Sequence, residues 1–217
     1  MKLTKLLSIV LIMSVILSVT AGCSKSAAST TTTTTEAFVV PGNFTTYTDE
    51  TSLFRISYPN QWEPMSQSDL SAYGSDVKDA LSNLKAGLPV DKANIIFLAG
   101  LRISTGYYPS VNIVVEPAPV MVTDNDMAMQ AEVTGIKQEV TNYQEVSRTK
   151  MMVNGESTTI LEYKAIFPGS STLMHNYYLA FLSGKTIWSV TCSATDTDYS
   201  QLSGDFDNIF RSFQLTN

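Results

Sequence analysis

The sequence predicts an α+β domain, a mostly antiparallel sheet flanked by helices. Three observations carry that expectation. Four strand-length segments follow one another between residues 145 and 194, joined by short turn signals. Three other stretches repeat apolar residues at spacings of three and four. Residues 177–182, Tyr-Tyr-Leu-Ala-Phe-Leu, are apolar at both strand parities, so helices should cover much of both sheet faces.

The elements follow in order. Residues 44–48 read as an edge strand, and 49–52 turn it. Residues 53–58 alternate cleanly: Phe54, Ile56 and Tyr58 share one face, Arg55 and Ser57 the other. Pro59 stops this strand, and Trp62 follows. Residues 66–86 predict one helix, with a stripe of Leu70, Tyr73, Val77, Leu81 and Leu84. Ser66 with Asp69 is its N-cap pair, and Gly87 before Pro89 its stop signal. Residues 94–99 form a short apolar strand that 101–104 continue past Gly100. Residues 105–109 read as a loop, and 111–115 as a strand closed by Pro117 and Pro119. The second helix is expected over 123–143, capped by Thr123 or Asp124, with Met129, Val133, Ile136, Val140 and Tyr143 as its stripe. A meander follows. Strand 145–153 turns at Asn154-Gly155, a strong hairpin signal, into 157–167. Strand 173–182 turns at Ser183-Gly184 into 185–194. A last helix carries Tyr199, Leu202, Phe206, Ile209, Phe210 and Phe213 at helical spacing.

The N-terminus reads as an address. Lys2 and Lys5 precede an almost wholly apolar run from Leu6 to Val19, the layout of a secretory signal. Residues 17–23, Leu-Ser-Val-Thr-Ala-Gly-Cys, resemble the lipobox of bacterial lipoproteins, with Thr20 where that family usually has an aliphatic residue. The resemblance implies a signal peptide over 1–22 and diacylglyceryl transfer to the thiol of Cys23. An ordinary signal peptide cleaved nearby is the alternative. Each acyl CH₂ buried in a bilayer contributes about 0.8 kcal/mol, and two acyl chains suffice for a stable anchor. The expected location is therefore the outer, extracytoplasmic face of a bacterial cell membrane. Residues 23–43, with six consecutive threonines from Thr30 to Thr35, lack hydrophobic periodicity and read as a tether. As a flexible coil, ~20 residues span about 25 Å. Residues 44–217 then form a single globular domain.

Composition narrows the function classes. The chain has 14 basic and 20 acidic residues, net −6. Loss of the signal with Lys2 and Lys5 leaves 12 basic residues and net −8. Such a domain is a poor nucleic-acid or phosphate binder, and the lipid must do the anchoring. With Cys23 lipidated, Cys192 has no partner, so stability must come from a core.

The candidate chemical residues mostly have plainer explanations. His175, the sole histidine, lacks a second histidine for metal or relay chemistry and reads as structural or surface. Cys192 shares parity with Trp188, Val190 and Ala194 and reads as a small core hydrophobe. Asp124-Asn125-Asp126 and Asp196-Thr197-Asp198 sit where helices begin and read as caps, with oxygen-rich cation loops as the alternative. Ser183-Gly184-Lys185-Thr186 is a hairpin turn, because a phosphate loop needs a glycine where Leu179 stands. Tyr107 and Tyr108, in the expected loop beside Gly106, are candidate contacts to a protein partner or sugar, unless their rings fold back onto the sheet. No nucleophile-elbow, H-E-x-x-H or paired-cysteine pattern occurs, so no enzyme activity, cofactor or metal is expected.

Three segments carry a second resemblance. Phe54-Arg55-Ile56-Ser57-Tyr58-Pro59-Asn60-Gln61-Trp62 resembles the F-x-I-x-Y-P-x-x-W opening of PsbP-like domains. These are the family of the extrinsic photosystem II subunit and its non-photosynthetic bacterial relatives. Residues 110–115 resemble that family's next strand, and Phe206 to Phe213 its closing helix ending in Ser-Phe. The resemblance implies an α/β/α sandwich with an antiparallel sheet. The matching residues are packing residues, so it implies fold and no photosystem role. The expected function is a non-catalytic interaction or accessory domain with a protein partner in the cell envelope. The alternative is a lipoprotein that binds a small molecule or metal ion in a groove between sheet and helix.

Overall fold

The computed structural model describes residues 38–216, apart from 52, 73, 89, 104–105 and 154–155. The chain divides into two units, Met1–Val39 and Val40–Asn217. The expected signal peptide, Cys23, the threonine run and the Asn154-Gly155 turn lie outside the described residues. Every element below belongs to the second unit. Among the described residues no helix is long and apolar enough to cross a membrane.

In chain order the elements are β1 (Phe44–Thr48), β2 (Phe54–Pro59), β3 (Glu63–Pro64), α1 (Gln67–Ala72), α2 (Val77–Lys85), β4 (Asn94–Ile103) and β5 (Gly106–Pro117). Then come α3 (Asn125–Glu139), β6 (Thr141–Val153), β7 (Glu156–Ile166), β8 (Met174–Ser183), β9 (Thr186–Thr195), α4 (Tyr199–Ser212) and β10 (Gln214–Leu215). One sheet has the order β1-β2-β10 and the other β3-β4-β5-β9-β8-β7-β6, antiparallel throughout. The chain therefore has the α+β fold that its sequence predicts.

Strand parity sorts the core into two layers. Val111, Ile113 and Val115 of β5 face the small sheet, α1, α2 and α4, with Trp188, Val190, Cys192 and Ala194 of β9. Phe54, Ile56, Phe206, Phe210 and Phe213 close this layer. The opposite parity of β7 and β8, including Leu161, Tyr163, Tyr178 and Ala180, packs under Ala128, Met129 and Val133 of α3. Ser212 locks the first layer: its hydroxyl accepts from the Ser57 amide at 2.8 Å and donates to the Ile209 carbonyl at 2.7 Å. The β2 backbone at Ser57 is thus hydrogen-bonded to the end of α4.

Four boundaries differ from the sequence reading. Residues 66–86 form two helices, because Gly74 takes φ +80° and Asp76 starts α2 by accepting from the Asp79 amide at 3.4 Å. The break is tied to β4: the Ser75 hydroxyl accepts from the Ile95 amide at 3.1 Å. The expected Ser66–Asp69 cap is present, with the Asp69 amide donating to Ser66 Oγ at 3.2 Å. The second helix ends at Glu139 and β6 begins at Thr141, so Tyr143 lies on a strand while still packing in the α3 layer. Residues 106–109 belong to β5 and not to a loop. Finally, β2 extends through Pro59, which pairs with Phe44 on the small sheet.

Candidate functional site: a groove between helix and sheet

Helix α3 covers only part of its sheet face. It packs on β8 and β7, leaving β5 and β9 partly open. The register aligns Ser110, Ser193, Asn176 and Tyr163 in one row across β5, β9, β8 and β7. The next row holds Asn112, Thr191, Tyr178 and Leu161. The uncovered floor is therefore a carpet of hydroxyls and amides, and the covered part is aromatic and aliphatic. Between them lies a cavity of about 530 Å³, within the usual range for small-molecule pockets. Phe167 and Ser170 border it after β7, and Ile136 and Glu132 from α3.

Glu132 is the polar anchor of this wall. The Tyr178 hydroxyl donates to its carboxylate, and Glu116 of β5 bonds it side chain to side chain. Burial pushes the Glu116 carboxyl up to about 9, and the bond to Glu132 and that residue's charge add to the shift. Burial also raises the Tyr178 phenol well above its usual range.

Among the described residues three buried side-chain donors lack partners, Trp62 Nε1 and two on this side of the molecule. Asn176, fully buried, accepts from the Ser193 hydroxyl at 2.7 Å through Oδ1, yet its Nδ2 has no partner. The Tyr108 hydroxyl is likewise buried and unpartnered. Burial first, and the charge of Asp198 second, raise that phenol's pKa. Tyr108 lines the groove from the start of β5, next to a cis Tyr108–Pro109 peptide. Tyr108 is thus a half-buried strand residue and not a loop residue, its hydroxyl covered as in the alternative that its ring folds back onto the sheet. The side chain of Tyr107 lies outside the described residues.

The other singled-out residues sit elsewhere. His175 is buried on the opposite face, its ring stacked on Tyr199 with centroids 3.4 Å apart. Its Nε2 meets Glu162 at 2.8 Å and its Nδ1 meets Asp196 at 3.3 Å. The two carboxylates flank the ring, so they do not converge on one point. Burial would raise the Glu162 pKa, but hydrogen bonds from Ser147, Tyr199 and His175 outweigh it and hold the carboxyl below its usual range. Cys192 is fully buried, as strand parity predicts, and burial pushes its thiol well up.

The acidic clusters divide. Asp124 caps α3, accepting from the Met127 amide at 2.8 Å. The capping reading fails for the other cluster. Asp196 instead pairs with Lys164 at 2.6 Å, and Asp198 accepts from the Thr195 hydroxyl at 2.7 Å without a side-chain cap bond. Among the described residues no three histidine, cysteine or acidic side chains group as cation ligands.

Glu116, Glu132, Asn176 and the hydroxyl carpet escaped the sequence reading. The available signal was the polar parity itself: Ser110-x-Asn112 and Ser189-x-Thr191-x-Ser193, each opposite a fully apolar parity.

Comparison with known proteins places this geometry in context. No curated protein sequence matches the chain. The solution structure of cyanobacterial PsbP (CyanoP) from Synechocystis sp. is similar at 14% identity and TM-score 0.50, over 81% of this chain and 94% of that one. LpqN, involved in cell envelope biogenesis of Mycobacterium tuberculosis, is similar at 11% identity and TM-score 0.47, over 76% and 83% of the two chains. The family model for PsbP-like proteins matches residues 5–215. With nearly its whole length matched and its strands and helices in the layers described above, this chain belongs to the PsbP-like protein family.

Proposed function

We propose that this chain is a lipid-anchored, extracytoplasmic accessory protein that works by binding a small ligand, with no catalytic step. The observation that carries the reading is the groove of about 530 Å³ between α3 and the uncovered half of the sheet. A pocket of this size with apolar and aromatic walls and a few neutral polar groups is the usual form of a ligand site. The non-catalytic part is supported by the reactive side chains. The one imidazole has both nitrogens engaged by carboxylates, and the one described thiol is sealed in the core.

The anchor rests on residues 17–23. Cys23→Ser should leave the membrane fraction or accumulate as unprocessed precursor. A variant that stays membrane-bound with an unchanged mature N-terminus would refute lipidation. For the groove, a thermal-shift screen of ions, amines, sugars and peptides should find a compound that raises Tm. Ligand at a hundredfold excess over Kd adds about 2.7 kcal/mol of stability. Thr191→Tyr, which fills the groove floor, should abolish that rise. A flat screen, or a rise that survives Thr191→Tyr, would overturn the groove as the binding site.

A further inference from the structure

We infer that the groove's ligand is an uncharged saccharide, held by the hydroxyl carpet below and by aromatic rings at its sides. This rests on the ligand-binding reading above. The first argument is charge. Among the described residues no lysine, arginine or histidine lines the groove, so an anionic ligand would be desolvated with no cation to receive it. Glu132 is the one acidic lining residue among those described, and the Tyr178 hydroxyl and Glu116 already engage its carboxylate. A cation would have to displace those bonds.

The second argument is geometry. Ser110, Asn112, Thr191 and Ser193 form a two-by-two block of neutral polar side chains on neighbouring strands. Strands lie about 4.8 Å apart, and alternate residues along one strand about 6.6 Å apart. Such a grid meets a ligand carrying several hydroxyls on a rigid ring. Charged ligands need a focused counter-charge, which the floor lacks.

The third argument is the walls. Tyr108 and Phe167 offer half-buried rings beside this floor, suited to the apolar C–H faces of a pyranose, while Tyr163 and Tyr178 lie buried under α3. The lining groups Ser110, Asn112, Thr191 and Ser193 need hydrogen-bond partners of their own. A purely apolar ligand would desolvate them without replacing those bonds, at about 1–3 kcal/mol for each group so buried.

The test is calorimetric titration of the full-length protein in detergent. The probes are glucose, N-acetylglucosamine, maltose, cellobiose and N,N′-diacetylchitobiose, with spermidine and inorganic phosphate as charged probes. At least one neutral sugar should bind saturably, and phosphate should not. Thr191→Val keeps the side-chain shape and deletes the hydroxyl, so it should weaken sugar binding about tenfold, or about 1.4 kcal/mol. Ser110→Ala repeats the test at a second position, should the first variant fold poorly. Binding of spermidine alone overturns the saccharide assignment and leaves a ligand groove standing. Sugar binding untouched by both variants overturns the location. Silence from every probe, including in the thermal-shift screen, overturns this inference together with the binding reading.

Discussion

Cys192 shows how burial disarms a reactive side chain. Its thiol is fully enclosed among Val190, Ala194 and the α4 layer, and burial favours the neutral form. A thiol reagent should therefore label it only on unfolding, at a rate that rises with denaturant. Fast stoichiometric labelling of native protein would contradict this. Cys192→Ser places a hydroxyl in the same apolar site and should cost about 1–3 kcal/mol in urea unfolding, more than Cys192→Ala if polarity dominates over lost volume. This residue was legible in the sequence, because its parity partners Trp188 and Val190 are four and two positions away. His175 was only half legible. Its burial follows from strand parity, but Glu162 and Asp196 lie 13 and 21 residues distant and meet it only through strand pairing and the turn after β9. The same limit hid the groove. Glu116 and Glu132 sit on a strand and a helix whose contact no local pattern announces.

Among the elements, β5 departs most from its sequence pattern. Thr105-Gly106 and Pro109 look like a loop, since proline donates no ladder hydrogen bond. The strand tolerates Pro109 because pairing with β9 begins only at Ser110, and because the β4 register shifts between Gly100 and Arg102. Proline is thus placed where neither neighbour needs its amide. Gly100 makes the approach possible: a Cβ built on it would lie 2.4 Å from the Pro109 carbonyl oxygen and 3.0 Å from Ser110 Cβ. Backbone, not a flexible side-chain tip, stands in the way. Gly100→Ala should therefore cost about 1–3 kcal/mol by overpacking and push the start of β5, with Tyr108, off its groove position. The expected signature is a lowered Tm together with a ligand affinity reduced beyond that of an equally destabilised core variant such as Cys192→Ser. Unchanged Tm and affinity would show that β4 and β5 yield freely there. Residues 66–86 form two helices where their pattern predicts one, for a related reason. Its apolar stripe runs unbroken across Gly74 to Asp76, so periodicity cannot reveal a break imposed by a positive φ and a fresh N-cap.

At the scale of the whole molecule, the two sheet faces behave differently, and their titrations separate them. On the α4 face Glu162 is held below the usual carboxylate range by hydrogen bonds that outweigh burial, with its side chain 17% exposed. A depressed carboxyl contributes stability above its unfolded pKa, near 4, and that stability is lost as pH falls through its folded pKa. Asp196, Asp126 and Glu145 are also lowered, chiefly by bonds from Lys164, Lys150 and Arg148, but these pairs are more exposed. Salt should screen their contribution and spare that of Glu162. On the α3 face the sign reverses. Glu116, facing Glu132 and Glu139, is raised from 4.5 to about 9, burial being the first cause. Between those values the fold keeps a proton that the unfolded chain has released, so stability falls as pH rises, by at most about 1.4 kcal/mol per pH unit for one proton. Urea unfolding from pH 5 to 9 should show this alkaline decline. Glu116→Gln keeps a neutral hydrogen-bonding group and removes the titration. It should match the parent near pH 5 and exceed it increasingly toward pH 9, while leaving the acid limb set by Glu162 in place. Parallel curves for the two proteins across that range would mean that Glu116 already ionises in the folded state, and that a negative charge stands behind the groove wall. A cationic ligand would then fit the α3 face better than a neutral sugar, so this stability curve also bears on what the groove selects.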